Sequence, residues 1–258
     1  MSLLLHVDAK YNSLEAVNRV KPPEKTDTYT PVAHSELIEM VKGHASEFLN
    51  DYEFIDESHG LAPQLGENYG AKYFGVINYR NPEIEEMSLA IGLRNSYDQS
   101  LSVGVCMGTK VFVCDNLCFS GDIRITRKHT GDVLGSIDEM IANAMEVAPM
   151  RHRDLQKDAD MMREYEVTND QAYAILGIGY GRGMLAPRQL LRARQAWITP
   201  PQEDFSDRNL WSLYNSMTEA LKTATARNVL ESHSRVHSLC MNQGMQIIDG
   251  DEMIHVRV

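Results

Sequence analysis

The chain has 258 residues, 43% of them hydrophobic and 24% charged, which is enough apolar material for one sizeable core or for a core domain with an appended helical part. No stretch approaches the roughly 20 apolar residues that span a bilayer, and the first segment, MSLLLHVDAK, is too short for the apolar core of a signal peptide. The formal net charge of −11 argues against nonspecific DNA binding over the whole surface. We therefore expect a cytoplasmic protein that makes no membrane contact.

The first half of the chain predicts an α+β core. Residues 1–32, with three prolines in VKPPEKTDTYTPVA, indicate an extended N-terminal arm. Apolar residues then recur at helical spacing from about Ser35. Strands are expected at 51–57, 72–79 and 86–94, with HGLAPQLGEN as a loop between the first two.

The region around residues 101–148 carries the strongest pattern. Two apolar runs at 101–107 and 110–114 predict a hairpin that turns at Gly108. DIRITR alternates like a strand, and an apolar stripe from Val133 predicts a helix that covers one face of the sheet. The connectors are short, which favours an antiparallel meander of four to six strands.

The second half reads as mainly helical. A charged helix is expected at 151–166, another starting at the N-cap Thr168, and a third starting at Pro187, with the Gly-rich GIGYGRG as a flexible connector. NLWSLYNSMTEALKTATA is amphipathic, and MQIIDGDEMIHV predicts a C-terminal β-hairpin. The expected fold is α+β: an antiparallel β-meander covered by helices, followed by a mainly helical C-terminal region. The expected division is 1–32 (arm), 33–150 (core domain) and 151–258 (helical region with the hairpin).

The motifs of common catalytic and cofactor sites are missing from the sequence. GIGYGRG lacks the Lys-Ser/Thr of a Walker loop and the order of a dinucleotide-binding turn. His233 and His237 stand four residues apart near Cys240, but without H-E-x-x-H, so a solvated helix face is favoured over a metal site. No nucleophile motif is present. We predict no cofactor, no metal and no catalytic residue, and a binding protein rather than an enzyme.

Two groups of cations are candidate nucleic-acid contacts. The first follows the central apolar runs, where cations beside aromatic rings suit single-stranded nucleic acid; a solvated strand face beside core rings is the alternative. The second lies in residues 171–200, which contain no Asp or Glu; here the alternative is pairing with acidic residues of the same protein. The predicted contacts are Arg124, Arg127, Lys128 and His129 in the first group and Arg182, Arg188 and Arg192 in the second.

Four segments, in order, resemble a phage and plasmid protein family known as domain of unknown function 932: PVAHSELIEMV, IGLRNSYDQSLSV, VFVCDNLCFSGDIRITRKHTGDV and NLWSLYNSMTEAL. Asn95, Ser96 and Asp98 match the polar connector of that family, and Lys128 begins its basic pair, whereas Leu117 replaces a turn glycine. The resemblance implies a phage or plasmid origin but no reaction. The order helix, meander, helix is also similar to phage single-strand annealing proteins, which form rings around a basic groove for single-stranded DNA.

These observations predict a phage- or plasmid-encoded, homo-oligomeric, non-enzymatic protein that binds single-stranded DNA in recombination or replication. The alternative is a counter-defence protein that binds a host protein or a nucleotide signal. In this alternative the binding surface would lie in the acidic first half of the chain. Residues 1–120 hold 9 Lys and Arg against 17 Asp and Glu.

Overall fold

The computed structural model describes residues 10–63, 65–84, 87–111, 117–118, 123–223 and 229–250. By its internal contacts the chain divides into two compact units. Unit 1 comprises Met1–Lys110 and Asp122–Arg153, and unit 2 comprises Val111–Gly121 and Asp154–Val258. No helix within these described ranges is long and apolar enough to cross a membrane.

The strands follow one another in meander order and are joined by short connections, as the sequence predicts. In chain order they are β1 (Lys10–Asn12), β2 (Glu53–Ala62), β3 (Lys72–Arg80), β4 (Met87–Ser96), β5 (Val103–Val111), β6 (Leu117–Cys118) and β7 (Arg124–Arg127). Strands β1 to β5 are successive neighbours, and β7 pairs antiparallel with β5. The register places Leu61 opposite Tyr73, and Ile77 opposite Ile91.

The core of unit 1 lies between the sheet and its helices. Helix α1 covers Leu14–Asn18, α2 covers His34–Phe48 and α3 covers Val133–Glu164. Their apolar stripes bury side chains against the sheet, and each fully buried aliphatic residue contributes about 1.5–3 kcal/mol. The largest contributors include Leu37, Ile38, Val41, Ile137 and Ile141 from the helices and Tyr73, Ile77, Ile91 and Leu93 from the strands. The α+β class and the meander are therefore confirmed.

Residues 10–18 form regular elements, whereas residues 20–33, which contain the three prolines, form neither helix nor strand. Lys10–Asn12 pairs with β2 as an antiparallel edge strand. Ser13 caps α1 through its hydroxyl, which accepts from the amide of Ala16. Val17, Tyr29 and Val32 are buried in the core. The segment packs because buried apolar residues lie before, between and after its prolines, and because β2 offers it an open edge.

Two predictions for unit 1 are wrong. Strand β5 runs through Gly108 without a turn, because Val103, Val105 and Met107 keep one face in the core across the whole run. Residues 59–62 extend β2 rather than forming a loop, since His59 and Leu61 are buried there. Helix α3 also joins the two helices expected on either side of Pro149.

Unit 2 is built from helices. After the end of α3 come α4 (Asn169–Gly181), α5 (Pro187–Ile198), a 3-10 turn (Glu203–Phe205) and α6 (Leu210–Leu221). They are followed by α7 (Val229–Ser238), a π-helical turn (Leu239–Gly244) and α8 (Met245–Asp249). Helix α6 is almost entirely buried and forms the centre of this unit. Thr168 and Gln171 form the capping box that starts α4, and Pro187 starts α5, both as predicted.

The C-terminal segment differs from the predicted hairpin. Residues 245–249 are helical, because they continue directly from the helical turn before them and Met245 is buried. A short apolar run such as MQII does not distinguish a helix from a strand by its own periodicity. The second half of the predicted hairpin, 251–258, lies outside the described residues.

Candidate functional site

The first predicted cation group lies on and after β7. Arg127 and Lys128 are exposed, and in the described part of the chain neither forms an ion pair. The backbone of Arg124 pairs with that of Cys106. The side chain of Arg124 lies outside the described part of the chain, and so do Phe112 and Phe119. Two of the four predicted cations are therefore available to a phosphate.

His129 does not join them, because it is buried. Only 6% of its surface is exposed, and its ring lies 5.4 Å from the ring of Tyr29. Its carbonyl accepts a hydrogen bond from the amide of Thr30 at 2.9 Å. Burial lowers the pKa of the imidazole, so His129 is a neutral core group at neutral pH and not a phosphate contact.

The second cation group lies directly after α4 and on α5. Arg182 and Arg188 are exposed, and neither pairs with a carboxylate of the described residues. Arg192 instead forms an ion pair with Glu219 on α6, with Nη2 2.9 Å from Oε1. Burial alone would raise the pKa of Glu219, but hydrogen bonds from Lys222 and Arg192 outweigh it and lower the pKa. Arg192 therefore fixes α5 against α6, as the intramolecular alternative expects.

Two exposed tyrosines lie on α4. Tyr173 and Tyr180 on α4 are 38% and 47% exposed, which is high for rings of this size. The guanidinium carbon of Arg194, on α5, lies 5.7 Å from the ring centroid of Tyr173. We call the group Tyr173, Tyr180, Arg182, Arg188 and Arg194 the α4–α5 surface.

The floor between the two tyrosines is bare backbone. Tyr173, Gly177 and Tyr180 lie at positions i, i+4 and i+7, so they share one face of α4. Gly177 is exposed, and a Cβ added to it would meet nothing within 4 Å. A glycine inside a helix costs about 0.5–1 kcal/mol relative to alanine. Packing does not require this glycine, and its effect is to leave a low groove between two exposed rings.

Unit 1 contains a buried polar cluster around His34. Its Nε2 donates to the carbonyl of Gly70 at 3.0 Å, and its Nδ1 accepts from the side-chain amide of Asn95 at 3.0 Å. The ring of Tyr97 stacks on it at 3.9 Å. Burial lowers the pKa of His34 to about 4 and raises that of Tyr97 to about 12. Both imidazole nitrogens bond within the fold, so the cluster is structural.

The histidines of α7 do not form the solvated face that their sequence predicts. His233 is buried, and Nε2 of His237 lies 2.9 Å from a carboxylate oxygen of Asp158. Cys240 is fully buried, which raises the pKa of its thiol. Among the described residues, no group of three or more His, Cys, Asp or Glu side chains could hold a metal ion.

No known family model, curated protein or solved structure matches this chain. The resemblance to domain of unknown function 932 and to annealing proteins stays a prediction from the quoted segments.

The sequence analysis predicts Arg182 and Arg188 of the α4–α5 surface but neither Arg194 nor the two tyrosines. The interpretation of GIGYGRG as a connector places Tyr180 outside a helix. In the structure α4 continues to Gly181 and carries both Tyr173 and Tyr180. The available signal was the spacing of seven residues between two aromatic rings with a glycine at the intervening helical position.

Proposed function

We propose that this protein binds single-stranded DNA on the α4–α5 surface and catalyses no reaction there. One observation supports this most directly: two exposed tyrosine rings flank a glycine floor within residues 171–200, a stretch with four arginines and no acidic residue. Single-stranded nucleic acid is bound by rings that stack on bases and by cations that follow the phosphates. The local cationic surface acts on a phosphate at short range, whereas salt screens the more distant negative charges of the chain.

Arg127 and Lys128 provide a second set of phosphate contacts in this proposal. Both are exposed and have no competing carboxylate among the described residues. The family resemblance of the flanking segments supports a phage- or plasmid-encoded protein that works as a homo-oligomer in recombination or replication, in the host cytoplasm.

Fluorescence anisotropy with a labelled single-stranded oligonucleotide tests the proposal. Stacking is worth about 1–3 kcal/mol per base, so Tyr173→Ala with Tyr180→Ala should weaken binding by more than about tenfold. Arg188→Ala should also weaken binding and should reduce its dependence on salt. Arg192→Ala is the matched control, because this arginine already pairs with Glu219 and should contribute little.

Two results would contradict the proposal. One is the absence of binding at about 50 mM salt, where electrostatic attraction to phosphates is strong. The other is equal loss of affinity in the Arg188 and Arg192 variants, which would mean that the exposed guanidinium has no special role.

A further inference from the structure

A cleft of about 440 Å³ opens in unit 2 beside the start of α4. It forms where residues 165–167 run antiparallel to residues 208–210. There the amide of Val167 donates to the carbonyl of Arg208 at 2.7 Å. The amide of Leu210 donates to the carbonyl of Tyr165 at 2.9 Å. The volume suits one small organic group. Its lining comprises Arg163, Glu166, Val167, Thr168, Asp207, Arg208 and Asn209.

Both arginines of the cleft lie over the rings of buried tryptophans. Arg208 donates from Nη1 to the carbonyl of Trp197 at 2.6 Å, and its guanidinium carbon lies 4.7 Å from the Trp197 ring centroid. The guanidinium carbon of Arg163 lies 5.2 Å from the ring centroid of Trp211, and its Nη1 donates to Asp160 at 2.7 Å. A guanidinium whose one face rests on an indole presents its other face to a further planar group.

The cleft also carries two carboxylates without partners. Glu166 and Asp207 are exposed, and neither has a hydrogen bond or an ion pair with another described side chain. Two carboxylates balance the two guanidiniums, so the lining has no net charge that would attract a phosphate. An uncharged planar ring with an amino group suits these four charged side chains better than a phosphate does. Such a ring can stack on a guanidinium and donate a hydrogen bond to a carboxylate.

Contacts through α5 link the cleft to the α4–α5 surface. Trp197 lies one turn after Arg194 on α5, and its indole N–H donates to Asn169 at the start of α4 at 3.0 Å. Arg194 in turn lies over Tyr173, one turn further along α4. These contacts connect Tyr173, through α5, with Arg208 in the lining of the cleft.

We propose that the cleft takes one unstacked base of the bound strand and prefers a base with an exocyclic amino group, cytosine over thymine. This inference rests on the proposed function. Glu166 and Asp207 accept from the N4 amino group of cytosine, whereas thymine offers a carbonyl at the same position, which faces the carboxylates unfavourably. Arg163 and Arg208 hold the ring plane.

Anisotropy titrations with oligo(dC) and oligo(dT) of about 16 nucleotides test this inference, since both are pyrimidine strands of similar length and charge. The wild-type chain should bind oligo(dC) at least about fivefold more tightly, the ratio that one good base contact supplies. In Glu166→Ala with Asp207→Ala this ratio should fall to about one, mainly through weaker binding of oligo(dC). Glu146→Ala removes an exposed carboxylate of α3 that does not line the cleft, and it should leave the ratio unchanged.

The two proposals fail in different ways. If both oligonucleotides bind equally, or if the cleft variant tightens both by the same factor, the carboxylates act only by repulsion and the inference is overturned. In that case loss of binding in the Tyr173 and Tyr180 variant still upholds the α4–α5 surface. If neither oligonucleotide binds, both proposals are wrong. Urea melts of each variant show whether it retains its fold.

Discussion

The buried imidazole of His34 makes the stability of unit 1 depend on pH. In the folded chain both of its nitrogens are used, one donating to Gly70 and the other accepting from Asn95, so an added proton would face a donor. Its pKa falls from 6.5 to about 4, chiefly because burial disfavours the charged ring. His152, which is 1% exposed, has its pKa lowered to about 4 for the same reason.

The direction and size of the effect follow from these pKa values. Between pH 6.5 and about 4 the unfolded chain binds protons that the folded chain does not, so the free energy of unfolding falls as pH drops through this window. A full shift of this size corresponds to about 3 kcal/mol per histidine. At about pH 5 roughly two-thirds of it is lost, so the two histidines together remove about 4 kcal/mol relative to neutral pH.

Urea denaturation followed by circular dichroism at about pH 7.5 and about pH 5 measures this loss. The wild-type chain should lose about 4 kcal/mol, and His34→Gln or His152→Gln should each lose only about half as much, although both variants start less stable. The double variant should lose less than either single variant, and its remaining loss should come from His59 and His129, whose pKa values burial also lowers. If His34→Gln kept the full pH dependence of the wild type, the neutral buried imidazole would not be its source.

Four other outcomes are expected. Gly177→Ala should raise the free energy of unfolding by about 0.5–1 kcal/mol in a urea melt and weaken oligonucleotide binding, because its methyl group fills the groove floor. Thr168→Ala removes the capping box of α4 and should cost about 1 kcal/mol in the same assay. Ile137→Ala leaves a cavity in a fully buried site and should cost about 2–5 kcal/mol. Arg127→Ala should weaken binding of oligo(dC) and oligo(dT) by the same factor, as measured by anisotropy; unequal factors would assign it a base contact.

The elements that the sequence predicts well are those with long, regular periodicity. Helix α2, strands β3 and β4 and the start of α3 follow directly from apolar spacing, and Thr168 and Pro187 mark helix starts through local chemistry. The errors occur where two local signals compete. Gly108 suggests a turn, yet β5 continues through it to Val111, and the buried residues from Val103 to Met107 hold the strand in the sheet.

The candidate site is predictable only in part, because exposure is a tertiary property. Arg192 and Arg188 are one turn apart and look equivalent in the sequence, but Glu219 on α6 reaches only Arg192. His129 follows two exposed cations and is nonetheless buried beside Tyr29. The cleft joins Arg163 of α3 with the segments that precede α4 and α6, and no spacing within the chain indicates that these residues meet.

Among the side chains that the structure describes, two thiols are buried, Cys106 in the first unit and Cys240 in the second. A thiol reacts with an alkylating reagent only when it meets solvent and ionises, and Cys240 is doubly protected by its full enclosure and its raised pKa. Alkylation at either position therefore reports transient opening of the unit that contains it. Peptide mapping after timed exposure to iodoacetamide would give a separate opening rate for each half of the molecule, without any engineered label.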